Sequence, residues 1–183
     1  MTNYVSILRG INVSGHRNIK MEALRKLYEN LKFQKVKSYI QSGNVVFQYK
    51  KSDAKILTVR ISNSIKETFG FDVPVIVLEI NDLSRIIESN PFAKDKKIDP
   101  ALLHITFLSD IPENNFLKKL DDIDLKNDKF YHKDNAVYLY CPDKYSNSKL
   151  TNGFIESKLK VTATTRNWKT VNELLKIAQN TED

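Results

Sequence analysis

Arg9, Asn12, Ser14, Ser42 and Asn44 bring a guanidinium, amides and hydroxyls into two short stretches punctuated by glycine. These are Arg9-Gly10-Ile11-Asn12-Val13-Ser14-Gly15 and Gln41-Ser42-Gly43-Asn44. Glycine is favoured where backbone turns with φ above zero or lies close to another group, so two such clusters nominate a site. Backbone N–H groups left unpaired in glycine-rich loops form concavities of positive partial charge that suit an anion. A third polar stretch, Thr164-Thr165-Arg166-Asn167-Trp168, adds secondary candidates. Thr165 reads as a helix N-cap, which places Arg166, Asn167 and Trp168 in a first turn whose N–H groups can hold an anion. An arginine there opposes the helix dipole, so Arg166 is expected to pair with something acidic, either as a ligand contact or by locking the two halves of the chain together through a buried ion pair.

Sharper chemistries fail on detail. Gly10 and Gly15 have the spacing of a phosphate-binding P-loop, but His16-Arg17 stand where Lys and Ser/Thr are required. His16, His104 and His132 are scattered with no metal-ligand spacing, so neither metal nor cofactor is indicated; His16 alone sits in the candidate loop, as a general base or a solvated residue. The acidic run Asp121, Asp122, Asp124 lacks the calcium-loop spacing and its glycine. Cys141, the single cysteine, precedes Pro142, and hairpin register places Asp128 rather than a histidine opposite it, which fits a small buried thiol.

The elements that must position these groups follow from periodicity. Tyr4 to Leu8 reads as a strand ending at the first glycine. Met21, Leu24, Leu27, Tyr28 and Leu31 recur at helical spacing, with Asn18 as the cap. Val36–Gln41 and Val45–Tyr49 alternate about Ser42-Gly43-Asn44, a hairpin signal. Ser52-Asp53 opens a helix that ends at Gly70, Val73–Leu78 is a strand with Pro74 near its start, and a helix spans Asp82–Ser89. That order is β-α-β-β-α-β, the split βαβ of ferredoxin-like folds. The second half repeats it: a strand over Leu102–Leu108, a helix over Glu113–Leu120, a hairpin turning at Asp134-Asn135, a helix over Phe154–Leu159, a strand over Val161–Thr164 and a closing helix from Trp168 to Gln179. In that helix Trp168, Val171, Leu175 and Ala178 form an apolar stripe that predicts a core position for Trp168.

Topology then places the two glycine clusters. In a ferredoxin-like sheet the first two strands run parallel, because the helix between them is a right-handed crossover. The 9–15 loop and the 42–44 turn therefore emerge at the same end. The fold class expected is α+β: two ferredoxin-like (α/β-plait) units in tandem, residues 1–80 and 81–183, each a four-stranded antiparallel sheet with helices on one face.

Charge separates the halves. Residues 1–80 hold 13 Lys/Arg and 6 Asp/Glu, which carries the whole net charge of +7, while residues 81–183 balance. Eight of those basic residues lie between Arg9 and Lys37, against only Glu22 and Glu29. The asymmetry suggests an anionic partner for the first half, either a phosphorylated small molecule or nucleic acid. Nucleic-acid binding is expected to be weak and salt-sensitive. One face of the hairpin, with Ile40, Val45 and Phe47, reads as core; the other, with Lys37, Tyr39, Gln41, Val46 and Gln48, carries a single aromatic where base stacking needs several. No stretch approaches the roughly 20 apolar residues of a membrane span, and the N-terminus lacks signal-peptide features, so a cytoplasmic location is expected. Length and composition leave oligomeric state open.

The motifs R-G-I-N-V-x-G from Arg9, Q-S-G-N-V-V-F from Gln41, Asn90-Pro91-Phe92, the downstream Met21, and T-x-R-N-W-x-T from Thr164 together resemble the signature of a bacterial family catalogued as domain of unknown function 1697. The resemblance runs nearly end to end. It implies the fold and marks Arg9, Gly10, Asn12, Ser14, Gly15, Ser42, Gly43 and Asn44 as motif positions, and it implies no reaction. Three roles remain in view: a binder of an anionic small ligand, catalytic or not; a nucleic-acid module; and a scaffold whose motif residues are structural.

Overall fold

The computed structural model describes residues 1–121 and 123–180. The first unit runs β1 (Thr2–Leu8), α1 (Met21–Asn30), β2 (Gln34–Tyr39), β3 (Asn44–Tyr49), α2 (Ala54–Phe69), β4 (Val75–Glu79) and α3 (Ile80–Glu88). Its strands pair in the order β2-β3-β1-β4, every neighbour antiparallel. The second unit repeats the plan with β5 (Leu103–Leu108), α4 (Asn114–Asp121), β6 (Lys129–Lys133), β7 (Ala136–Tyr140), α5 (Asn152–Leu159) and β8 (Ala163–Asn167), in the order β6-β7-β5-β8. The closing helix is α6 (Trp168–Gln179). The α+β fold of two tandem four-stranded antiparallel units is therefore the observed one. By contact, one compact unit comprises Met1–Arg85 with the segment from Glu173 onward, and the other Ile86–Asn172.

Local sequence explains the elements. In α1 the three- and four-residue spacing buries Leu24, Leu27 and Tyr28. Asp53 caps α2, accepting a bond from the Lys55 N–H at 2.7 Å, and Gly70 ends it in the left-handed region at φ 81°. Asn18 is not the cap of α1: Lys20 precedes the helix without a side-chain bond, and the Asn18 amide donates instead to the Gly15 carbonyl.

The first core lies between the sheet and α1 and α2. Phe47 is its hub, with ring centroids 5.5 Å from Tyr4, 5.5 Å from Tyr28 and 4.4 Å from Phe33. The Tyr28 hydroxyl is matched by Ser6 Oγ at 2.7 Å, and burial raises its pKa. The opposite face of this sheet is buried too. Val5, Ile7, Val46, Ile76 and Leu78 are all 5% exposed or less, and the Asn3 amide donates to the Ala178 carbonyl on α6. Val46 and Gln48 are thus buried rather than part of an open polar face, whereas Lys37 and Gln41 are exposed and Tyr39 is half-buried. Ile40 is 50% exposed at φ 49°, because the turn has already broken the strand alternation that placed it in the core.

One joint recurs in both units. Leu8 donates its N–H to the Gly43 carbonyl at 2.8 Å and Arg9 to Pro74 at 3.0 Å. In the second unit Leu108 donates to Asn135 at 2.9 Å and Ser109 to Thr162 at 2.9 Å. The repeat is thus one of hydrogen bonding as well as element order. A Cβ on Gly43, at φ 77°, would lie 2.6 Å from Leu8 Cβ and 2.9 Å from Ile11 Cδ1. Gly43→Ala should therefore destabilise the protein by about 2–4 kcal/mol, combining overpacking with left-handed strain, a loss that urea denaturation would measure directly. A loss below about 0.5 kcal/mol would mean that this joint is loose.

Candidate functional site

The loop between β1 and α1 is built upward from two buried side chains, Ile11 and Ile19, 1% and 3% exposed. Asn12 closes the loop above them. Its amide donates to the carbonyls of Ile19 at 3.0 Å and Gln41 at 2.9 Å, and its Oδ1 accepts from the Ile19 N–H at 2.8 Å. The Gln41 bond ties the loop to the β2–β3 turn, so the 9–15 and 42–44 stretches do lie together at one end of the first sheet. Asn12 adopts φ 55°, a conformation asparagine tolerates better than most residues.

Beyond Asn12 the chain projects outward. Val13 and His16 close a tight turn through a 2.9 Å backbone bond, with Ser14 at φ 49° and Gly15 at φ 76° on its tip. Residues 13 to 18 are all exposed. Arg17, at φ 49°, returns the chain, and its guanidinium Nη1 lies 3.3 Å from where a Gly10 Cβ would sit. Gly10 therefore leaves room for a charged side chain to lie across the loop. Arg17 forms no ion pair with a carboxylate among the described residues.

The candidate residues divide by what their atoms do. Asn44 is fully buried, with its amide donating to Ser42 Oγ at 2.8 Å and to the Tyr39 carbonyl at 3.3 Å. Gly43 is packed under Leu8, and Asn12 spends its amide on the loop itself. Arg9 and Ser42 are half-buried at the same end, while Gly10, Ser14, Gly15 and His16 are exposed. In the sequence alone Arg17 stands out only by breaking the P-loop pattern. Its signal was the glycine seven residues earlier, unreadable without the fold of the loop.

Thr165, Arg166 and Asn167 are corrected. They form the end of β8 rather than a helix cap and first turn, because pairing with β5 extends to His104↔Asn167. Asn167 caps α6 instead, its Oδ1 accepting from the Thr170 N–H at 2.8 Å. Thr165 Oγ1 bonds Thr106 Oγ1 and Asn152 Oδ1, each at 2.7 Å. Arg166 donates to the Thr165 carbonyl, and burial pushes its guanidinium down to about 10, still protonated at neutral pH. The helix-dipole argument for Arg166 falls with the helix. In α6 the fully buried side chains are Val171, Leu174 and Ala178; Trp168 and Leu175 are half-buried.

Among the described residues no group of three His, Cys, Asp or Glu could hold a metal. Of the acidic run, Asp122 lies outside the described residues, and Asp124 accepts a bond from the Lys126 N–H. His104 stacks on Tyr145 at 4.7 Å, and burial lowers its pKa. Cys141 is fully buried, and that burial pushes its thiol up to about 11.

The fold and the loop together define a tandem ferredoxin-like α+β protein with an elaborated first-strand loop. A family model described as protein of unknown function, DUF1697, matches residues 1–138, and the chain belongs to that family. The match includes both glycine-bearing stretches and stops short of Thr164–Thr170. The structure of a conserved bacterial protein from Streptococcus pneumoniae is similar, with a TM-score of 0.72 and 23% identity over 97% of this chain and 98% of that one. That likeness is one of fold. No curated protein matches the chain. Among the described residues no helix is long and apolar enough to cross a membrane.

Two outcomes are expected here. Asn12→Ala should cost about 2–3 kcal/mol in thermal or urea unfolding, since it removes three hydrogen bonds, two of them to part-buried backbone groups of Ile19, whereas Ser14→Ala should stay within about 0.5 kcal/mol; equal losses would mean that the loop is not held by Asn12. Cys141 should resist iodoacetamide in the native protein at pH 8 and react only on unfolding. The folded state holds the thiol proton more tightly than the unfolded one, whose thiol ionises near about 8.5. Its contribution to stability is therefore complete below about pH 8.5 and lost as pH rises toward 11.

Proposed function

We propose that this protein binds an anionic small molecule, bearing phosphate or carboxylate, through the exposed part of the β1–α1 loop. Arg17 is the principal charged contact; Gly10, Ser14, Gly15 and His16 contribute N–H and side-chain donors, and half-buried Arg9 and Ser42 border the site. The observation that carries this reading is a difference between the two units. The same strand-end joint is followed by twelve residues, 9–20, in the first unit and by five, 109–113, in the second. The second unit closes with the short version, so the plan of the fold does not itself demand residues 13–18, all of them exposed.

Two further features support the reading. Five residues of the loop, Gly10, Asn12, Ser14, Gly15 and Arg17, have positive φ, and such concentrations of unfavourable backbone occur at binding sites. Residues 1–80, which include the loop, also hold the entire net positive charge. A protein-docking role is the second reading. It is favoured by Val13 and Ile40, 58% and 50% exposed, each one residue from the Asn12–Gln41 bond.

Thermal unfolding with inorganic phosphate, pyrophosphate and citrate tests the first reading. A ligand at 100 times its dissociation constant adds about 2.7 kcal/mol, which raises Tm by roughly 5–10 °C for a chain of this size. Arg17→Ala should abolish that shift while moving the ligand-free Tm by less than about 2 °C. An identical anion response in wild type and Arg17→Ala would remove the loop from the binding site.

A further inference from the structure

We propose a second, separate site: the exposed edge of the β6–β7 hairpin around Tyr131 is a stacking surface for single-stranded nucleic acid. Strand alternation puts Lys129, Tyr131 and Lys133 on one face of β6 and sends Phe130 into the core on the other. Tyr131 is 45% exposed, and both lysines are exposed. An aromatic ring flanked two residues either side by cations is how a strand meets a base and its neighbouring phosphates at once.

The ring is held in place from behind. Tyr138 lies opposite Tyr131 in the ladder and is 1% exposed, with ring centroids 6.1 Å apart and an interplanar angle of 28°. Tyr138 is itself fixed, its hydroxyl donating to the Ile86 carbonyl at 2.8 Å. Tyr131 is therefore a backed platform rather than a free side chain, which lowers the entropy lost on stacking.

A second ring follows on the same face. Tyr140 pairs with Lys129, so it is diagonal to Tyr131, a spacing of roughly 7–8 Å between backbones. It is half-buried, with the Phe92 ring 6.2 Å away. Phe92 opens an exposed stretch carrying Lys94, Lys96 and Lys97. The acids in that stretch, Asp95 and Asp99, are exposed as well, each accepting a local backbone bond, from the Lys97 N–H and the Ala101 N–H, so the lysines exceed them by one. Asp128 and Asp134 sit at the two ends of β6 and limit the charge of the patch. Two offset rings, with lysines flanking Tyr131 on β6 and others in the exposed stretch that follows Phe92, fit an extended strand with unpaired bases. A duplex, whose bases are already stacked, offers these rings nothing.

Fluorescence anisotropy with labelled dT12, U12 and a 12-base-pair duplex at two salt concentrations tests the proposal. The single strands should bind at least ten-fold more tightly than the duplex. Tyr131→Ala should weaken them by roughly 5- to 100-fold and Tyr131→Phe by less than about three-fold, because stacking survives in the latter. Lys129→Gln with Lys133→Gln should lower the salt slope by about 1.4, the share of two phosphate contacts on a single strand. Arg17→Ala should leave oligonucleotide binding unchanged, which separates this site from the anion loop. Wild-type affinity in a folded Tyr131→Ala protein, equal duplex binding, or equal competition by polyglutamate would each overturn the proposal.

Discussion

Where β1 ends, the Leu8 N–H meets the Gly43 carbonyl at 2.8 Å, and the two residues approach so closely that only a glycine fits at the turn. Much of the first unit depends on that contact. It seats the β2–β3 hairpin over the end of β1 and lets Ile11 fold back under the turn. It also brings the Gln41 carbonyl within reach of Asn12. A bulkier turn residue would push the hairpin away from β1, and the loop would lose its anchor. The motif glycine at 43 is thus explained by packing, while Gly10 leaves space that the Arg17 guanidinium occupies.

The loop above that joint is costly. Three of its residues with side chains, Asn12, Ser14 and Arg17, sit at positive φ, each a penalty on the order of 1 kcal/mol. Burial of Ile11 and Ile19 and the three side-chain bonds of Asn12 offset this. The second unit makes the same joint without such a loop, so the joint alone does not require that cost. The strained turn carries an exposed arginine, Arg17, without a carboxylate partner among the described residues.

Much of this architecture was legible in the sequence, for local reasons. Asp53 and Gly70 bracket α2 because capping chemistry is read by neighbours in the chain. The 42–44 turn was legible because glycine marks positive φ, and strand order followed from the handedness of the crossover. What could not be read depended on residues far apart. Val46 and Gln48 were assigned to an open face, but that side of the sheet is buried, and its Asn3 bonds Ala178 across 175 positions of sequence. Thr165, Arg166 and Asn167 suit a helix start as well as a strand, and only the ladder to β5 decides between them. For Asn12 and Asn44 the sequence shows an amide's chemistry but not the hydrogen bonds each makes within the fold.

The two units also differ at the opposite end of their sheets, and the contrast sharpens the meaning of the loop. Four residues, 50–53, lead from β3 to α2, whereas eleven, 141–151, lead from β7 to α5. This longer segment turns inward. It buries Cys141 and Leu150 and stacks Tyr145 on His104, so its side chains enlarge the core they cover. The 9–20 loop does the reverse: after Ile11 it turns outward, and the core regains it only at Ile19. Extra length that packs inward is accounted for by burial. Extra length that is strained, charged and exposed is not, and so a ligand is the more economical explanation for the β1–α1 loop than stability.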